Sequence, residues 1–420
     1  MGWGQVKTVW ARLGLGTAIA LAAAGGASAQ GSALSIGEVK ISGEVGVEAR
    51  LFPQTPVKRG QGQNPQGLSV YGLGEFLYED PYLGRFTFKP FYRADFADDK
   101  RSHFDVREML WMKNFDFVEV RLGVGKVYWG VAESVHLIDI INQTDLVEDI
   151  DGKTKLGQPM LQLRFARDWG IIDLFYLPYF RERTFPGRAG RLRGPFYVAT
   201  DQTTYQSSAE QWHPDFAIRY SHTIGKFDFG IYYFHGTSRD PSFKLSHNEV
   251  FEPVLAPFYQ IINQGAVDAQ YTYGNWLFKF EGLVREGFNN RNAKKETYAA
   301  FVGGVEYTFN SVFGTRWDLG LLGEVLYDSR GKRATTATEN DIFLGARLSL
   351  NDPEDTRALL GLVQDMRKAT RYLYLESSRR IGDNWRVQLI ARAFITPAHT
   401  DLLYPVRKDS YIQLGLAYRF

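Results

Sequence analysis

Period-two alternation of apolar and polar residues, repeated along almost the whole chain, is the feature that most restricts this fold. In "VKISGEVGVEARLF", Val39, Ile41, Val45, Val47, Ala49 and Leu51 lie on one face, and Lys40, Ser42, Glu44, Glu48 and Arg50 on the other. In "RFTFKPFYRADF", Phe86, Phe88, Tyr92 and Phe96 oppose Arg85, Thr87, Lys89, Arg93 and Asp95. "FDFVEVRLGVG", "WLFKFEGLVRE", "WDLGLLGEVLYD" and "WRVQLIARAF" follow the same rule. Alternation of this kind is the mark of a strand with two unlike faces. About eighteen such segments (16–18), each about ten residues long, suffice to cross a bilayer as tilted strands.

The connections carry the next constraint. Tight turns are expected at 79–84, 114–116, 166–169, 224–226, 273–275, 310–316, 351–355 and 381–384. Most of the connections between them are long and polar, as in "PQTPVKRGQGQNPQG" and "YDSRGKRATTATEN". Short turns on one rim and long loops on the other predict an all-β transmembrane antiparallel barrel with periplasmic turns and extracellular loops. Trp169, Trp276, Trp317 and Trp385, with Phe86, Phe117 and Phe227, each open a strand after a short turn, as an aromatic girdle at the periplasmic interface requires. A soluble β-sandwich would need the charged faces of two sheets to meet water.

Residues 1–29 read as a signal peptide, with Lys7 and Arg12, an apolar run over 13–24, and Ala27-Ser28-Ala29 before cleavage. The remainder, 30–420, is expected to form one barrel domain. Basic and acidic residues number 49 and 47; without Lys7 and Arg12 they balance, so nothing in the charge invites nucleic acid. Cysteine is absent, which excludes disulfides and thiolate metal sites.

The closing segment "YIQLGLAYRF" resembles the C-terminal signal that outer-membrane proteins present to the barrel assembly machinery, through Ile412, Leu414, Leu416, Tyr418 and Phe420. The resemblance implies a bacterial outer-membrane protein, with membrane lipid, lipopolysaccharide and that machinery as partners. "YWGVAESVHLIDIINQTD" (128–145) and the following "LGQPML" resemble the Trp-Gly and Ile-Asn-x-x-Asp region of alginate-export-type and related porin-like proteins.

Barrels of 16–18 strands are wide enough for water, so an aqueous pore is the expected interior, a lumen filled by loops the other outcome. Two loops offer a constriction. One carries Glu148, Asp149 and Asp151, the other Arg181, Arg183, Arg188, Arg191 and Arg193; the bland alternative is a pair of solvated loops. Alternation points Arg85, Lys89, Arg93, Arg121, Lys279, Arg285, Arg386 and Arg392 inward, against Glu44, Glu48, Glu119, Glu281 and Glu324. That is a mild basic excess along the wall.

These features together predict a porin-like channel for passive diffusion of small polar solutes, with anions favoured, as a single barrel or an oligomer. A substrate-specific export or uptake barrel for an oligosaccharide is the alternative. A lipid-modifying enzyme is a third reading, but Ser221-His222 is the nearest approach to a dyad, and adjacent strand residues point to opposite faces. "DLVEDIDGK" (145–153) has carboxylates without calcium-loop spacing. No catalytic set, metal or cofactor is expected.

Overall fold

The computed structural model describes residues 37–58, 60–62, 66–395 and 397–420. The signal-peptide segment lies outside the described residues. From Glu38 onward the chain forms an 18-stranded antiparallel sheet. The strand Glu38–Leu51 pairs with Gln66–Asp80 on one side and with Tyr411–Arg419 on the other, so the sheet closes into a barrel.

Every short turn falls where the alternation places it. The two-residue connections at 225–226 and 274–275 each open with a glycine at positive φ, +62° at Gly225 and +60° at Gly274. Glycine enters that region at no steric cost, and the turn it makes matches the twist of a hairpin. The register slips between Lys89 and Pro90, where proline has no N–H to give the ladder.

The two faces separate as the sequence requires. Val39, Ile41, Val45, Val47 and Leu51 are exposed on the outer wall, whereas Glu48 and Arg50 are buried inside. Trp169, Trp276, Trp317 and Trp385 are exposed at the short-turn rim with Phe86, Phe117 and Phe227, forming the girdle. In a bilayer these outer side chains are covered by lipid, and closure leaves no strand edge for the hydrocarbon to expose.

At the opposite rim, part of the chain forms a second, smaller sheet. Ser242–His247 pairs antiparallel with Pro253–Tyr259, which also takes Tyr197–Val198 and Thr204–Tyr205 as short parallel partners. This small extracellular sheet goes beyond the barrel strands expected from alternation.

The topology makes an accessible prediction. A peptide tag within 331–336 is expected to bind antibody on intact cells, and a tag within 352–355 only after the outer membrane is permeabilised. The reverse pattern would invert the barrel.

Candidate functional site

The connection 126–157 runs into the barrel and packs against the inner wall. Its apolar residues explain the direction. Trp129, Ile138, Ile140 and Ile141 are buried together with Phe175, Leu177, Phe234, Ile262 and Leu283 of the wall. Ala132 joins Val302, Leu322, Leu326 and Phe343 in a second cluster further round. A run as apolar as 131–141 would lose the benefit of burial if it stood in water as an outer loop. Inside the barrel it makes a core where a polar lumen was expected.

The segment's neck is fixed by one side chain. Asn142 Nδ2 donates to the carbonyls of Gly125 and Leu156, both at 2.9 Å, and Val127 N donates to Asn142 Oδ1 at 2.8 Å. Asp145 N donates to the carbonyl of Thr154 and Leu156 N to that of Gln143, closing a narrow stem. Asn142 and Asp145 are the Ile-Asn-x-x-Asp residues of the porin-like resemblance, and Trp129-Gly130 is its Trp-Gly pair. Trp129 sits 4.6 Å from the Tyr232 ring. Gly130 has φ +122°, and a Cβ there would lie 2.7 Å from Glu281 Oε1. The motif therefore encodes the inward segment itself.

Wall carboxylates hold the backbone of this plug. Glu281, buried on the strand Trp276–Asn289, accepts from Val131 N at 2.6 Å, Ala132 N at 2.8 Å and Ile138 N at 3.3 Å. Glu324 accepts from Glu133 N at 2.8 Å and Ser134 N at 2.9 Å. Charge-assisted bonds of this kind are about twice as strong as neutral ones.

Wall arginines hold the plug's acidic tip. Arg93 clasps Glu148 with two bonds, of 2.9 and 2.8 Å, while Arg50 donates to the Glu148 carbonyl at 2.7 Å. Arg392 lies 3.2 Å from both Asp149 and Asp151. Burial, with Asp149 beside it, pushes the Asp151 carboxyl up to about 6. Arg107 reaches Asp145 at 2.6 Å. Glu133, at the other end of the segment, pairs with Arg347. These wall residues come from strands on several sides of the barrel, so the segment spans the lumen.

The sequence-derived constriction residues fall into two separate sets. Glu148, Asp149 and Asp151 face wall arginines inside. Arg181 pairs with Asp105 at 2.7 Å, Arg183 with Asp240 at 2.6 Å, Arg188 with Glu252 at 2.7 Å and Arg191 with Asp409 at 2.7 Å. Arg193 has a buried Nε without a protein acceptor. Among the described residues none of the five arginines is paired with the three tip carboxylates, so the two groups do not form facing walls.

The inward basic residues are also engaged. Arg85 pairs with Glu79 at 3.6 Å, Lys89 with Glu75 and Glu108 at 3.1 and 3.3 Å, and Arg121 with Glu119 at 2.7 Å. Lys279 pairs with Glu306 at 3.2 Å, Arg285 with Asp240 at 3.4 Å and Arg386 with Asp355 at 3.6 Å. The basic excess is thereby locally neutralised.

Space remains beside the plug. A cavity of about 200 Å³ lies between it and the wall, lined by His136, Asp139, Lys155, Arg183, Arg285 and Arg330 among others. The Asp139 carboxylate is buried there with Lys155 Nζ at 3.4 Å, and burial raises its pKa.

Among the described residues one cluster has metal-ligand composition: His103, Asp145 and Glu148, whose ligand atoms lie within 4.8 Å of one another. Arg107 and Arg93 already hold its two carboxylates, and two guanidiniums oppose a cation. Ser221 and His222 sit on opposite faces, His222 packing on the outer wall with Tyr220 and Phe229.

Alternation places Glu281 and Glu324 on the inner face but says nothing of what they hold. The signal was available in the apolar content of 131–141, which is foreign to a solvated loop.

No family model and no curated protein matches the chain. Solved structures do resemble it in fold. Wzi of Escherichia coli, described as an outer membrane protein involved in group 1 capsule assembly and a carbohydrate-binding β-barrel, is 9% identical with a TM-score of 0.50; the match covers 90% of this chain and 84% of Wzi. OmpF of Salmonella typhi is 11% identical over 92% of this chain and 98% of its own, with a TM-score of 0.45. OmpT of Vibrio cholerae is 12% identical over 91% and 99%, also at 0.45. Closure, an apolar outer wall, the girdle and the rim asymmetry make this fold a porin-like barrel of the bacterial outer membrane.

Proposed function

We propose that the chain is a gated, non-enzymatic outer-membrane channel for a polar, uncharged solute, with 126–157 as its gate. The observation that carries this reading is the anchoring of the segment to opposite parts of the wall, by Glu281 and Glu324 at one end and by Arg93 and Arg392 at the other. A connection merely draped at the rim would have no reason to bury Ile138, Ile140 and Ile141. Pairing of the wall cations removes the reason to favour anions, and a solute that loses water inside a channel gains most from matched donors and acceptors. The cavity beside Asp139 offers both kinds.

A carbohydrate is the solute class we favour. Wzi, one of the solved barrels that share this fold, is described as carbohydrate-binding. A sugar's hydroxyls suit the mixed lining of Asp139, Lys155 and Arg183.

Planar-bilayer recording of the wild-type protein tests the gate. A resting state of low conductance with brief openings is expected, and added neutral oligosaccharide should change the opening frequency. A steady, always-open pore of large conductance would sink this reading and leave simple diffusion.

A further inference from the structure

The cavity beside the plug is built from two sides. One side belongs to the inward segment, which contributes His136, Asp139 and Lys155. The other belongs to the wall and its extracellular connections. Arg285 comes from the strand Trp276–Asn289, Tyr298 from Lys295–Phe309, and Thr336 and Thr338 from the connection 329–339. The space is therefore complete only while the plug is seated. Thr336 is exposed as well as lining it, which brings the cavity to the extracellular rim.

Its polar groups have bonding capacity to spare. The Asp139 side chain is 1% exposed, and neither of its oxygens has a hydrogen-bond partner among the described residues. Lys155 Nζ reaches Asp139 and Thr144 only at 3.4 Å. On the wall, Arg285 donates through Nε to Gln264 at 2.6 Å but through Nη1 to Asp240 only at 3.4 Å. A buried carboxylate is costly unless donors reach it. Hydroxyl groups are such donors, and the same groups can accept from Lys155 and Arg285.

Charge and size select the occupant. Asp139, Asp240 and Asp328 line the space together with Lys155, Arg183 and Arg285, so a cation or an anion would meet its own sign. A neutral ring carrying several hydroxyls finds an acceptor or a donor on either side. The volume of about 200 Å³ is below the ~300–1,000 Å³ of pockets for drug-sized ligands, and suits one sugar ring rather than a chain.

We infer that a neutral sugar ring bound here latches the plug in place, with Asp139 and Lys155 holding it from one side and Arg285, Thr336 and Thr338 from the other. The inference rests on the gated-channel reading and gives it a sign. A ligand that bridges plug and wall binds the seated state alone, so it shifts the equilibrium toward closure by its whole affinity. External sugar thus lowers the opening frequency.

The test records the full-length barrel in planar bilayers while glucose, galactose or mannose is added singly to the chamber facing the extracellular loops. At about ten times its dissociation constant, at least one of them should cut the opening frequency about tenfold by lengthening closed times, with open-channel conductance unchanged. Asp139→Asn keeps the volume but loses an acceptor; the double variant Thr336→Val, Thr338→Val alters the opposite side. Each should lose most of the response, measured against its own sugar-free record, while keeping heat-shifted migration. An undiminished response in either folded variant would reject a ligand held from both sides. Shorter open times with closed times unchanged would mean that sugar occludes the open pore, and more frequent openings that it binds the open state; either result overturns the latch. A channel that opens and closes but ignores all three sugars would overturn it too, with the gated reading surviving. A steady, always-open pore would remove both.

Discussion

Excision of residues 131–153, with a short Gly/Ser join between 130 and 154, is expected to raise single-channel conductance by about tenfold or more, since an 18-stranded barrel encloses an aqueous bore once emptied. The deletion leaves the wall intact in its ladders: every barrel strand pairs with two neighbours through backbone bonds that the plug does not supply. It does release wall charges. Glu281, Glu324, Arg93 and Arg392 lose their plug partners and become hydrated, which a widened lumen permits. Heat-modifiable migration reports whether the deletion variant has formed its barrel. The chain has no cysteine, so Ser134→Cys in the otherwise intact protein gives a second reading of the plug's position. Its labelling by a membrane-impermeant thiol reagent should be slow at rest and accelerate when channels open. A folded deletion variant with wild-type conductance would show that the barrier to flow lies elsewhere.

The second large effect is expected at Glu281. Its carboxylate accepts three plug N–H groups, and Glu281→Leu leaves all three donors without that acceptor. Leaving a buried N–H without its acceptor costs about 1–3 kcal/mol for each group, and three together suffice to move a seated plug from overwhelmingly closed to substantially open. The barrel itself should survive, because Trp276–Asn289 remains in register with Ile261–Tyr273 and Lys295–Phe309. Glu281→Gln keeps an oxygen that can accept from Val131 and Ala132, so its open probability should fall between wild type and Glu281→Leu. Identical gating in all three proteins would remove Glu281 from the latch.

The barrel was legible because its physics is local. Alternation along Glu38–Leu51 or Trp385–Ile395 states which face meets lipid, and a Gly-Lys or Gly-Asn pair between two such runs states where the chain reverses. The aromatic girdle was equally readable, since each of its members lies in or just after a short turn. The plug was not, because its partners are distant in sequence: Ala132 N and Glu281 are separated by 149 positions, and Arg392 and Asp149 by 243. Counting charges in a loop cannot say whether they face solvent or an arginine across a lumen. Charge placement misled in the same way for Arg188 and Arg191, whose partners Glu252 and Asp409 lie in other extracellular connections. Only the apolar stretch 131–141 carried a local hint that its connection turns inward.

The seam of the barrel joins its first strand to its last, and the plug tip is fastened across it. Arg50, on the first strand, donates to Gln413 of the last at 2.7 Å and to the Glu148 carbonyl at 2.7 Å. Tyr411, opening the last strand, reaches Asp149 at 3.3 Å, and Arg392 on the strand beside it reaches Asp149 and Asp151. The tip thus behaves as a stitch as well as a stopper. Contacts so far apart in sequence are costly to form from an open chain. A segment already folded against the growing sheet can gather the two outermost strands to one point before they pair. Lateral opening at the seam then requires the tip to let go, which couples the mechanical integrity of the wall to the seating of the plug.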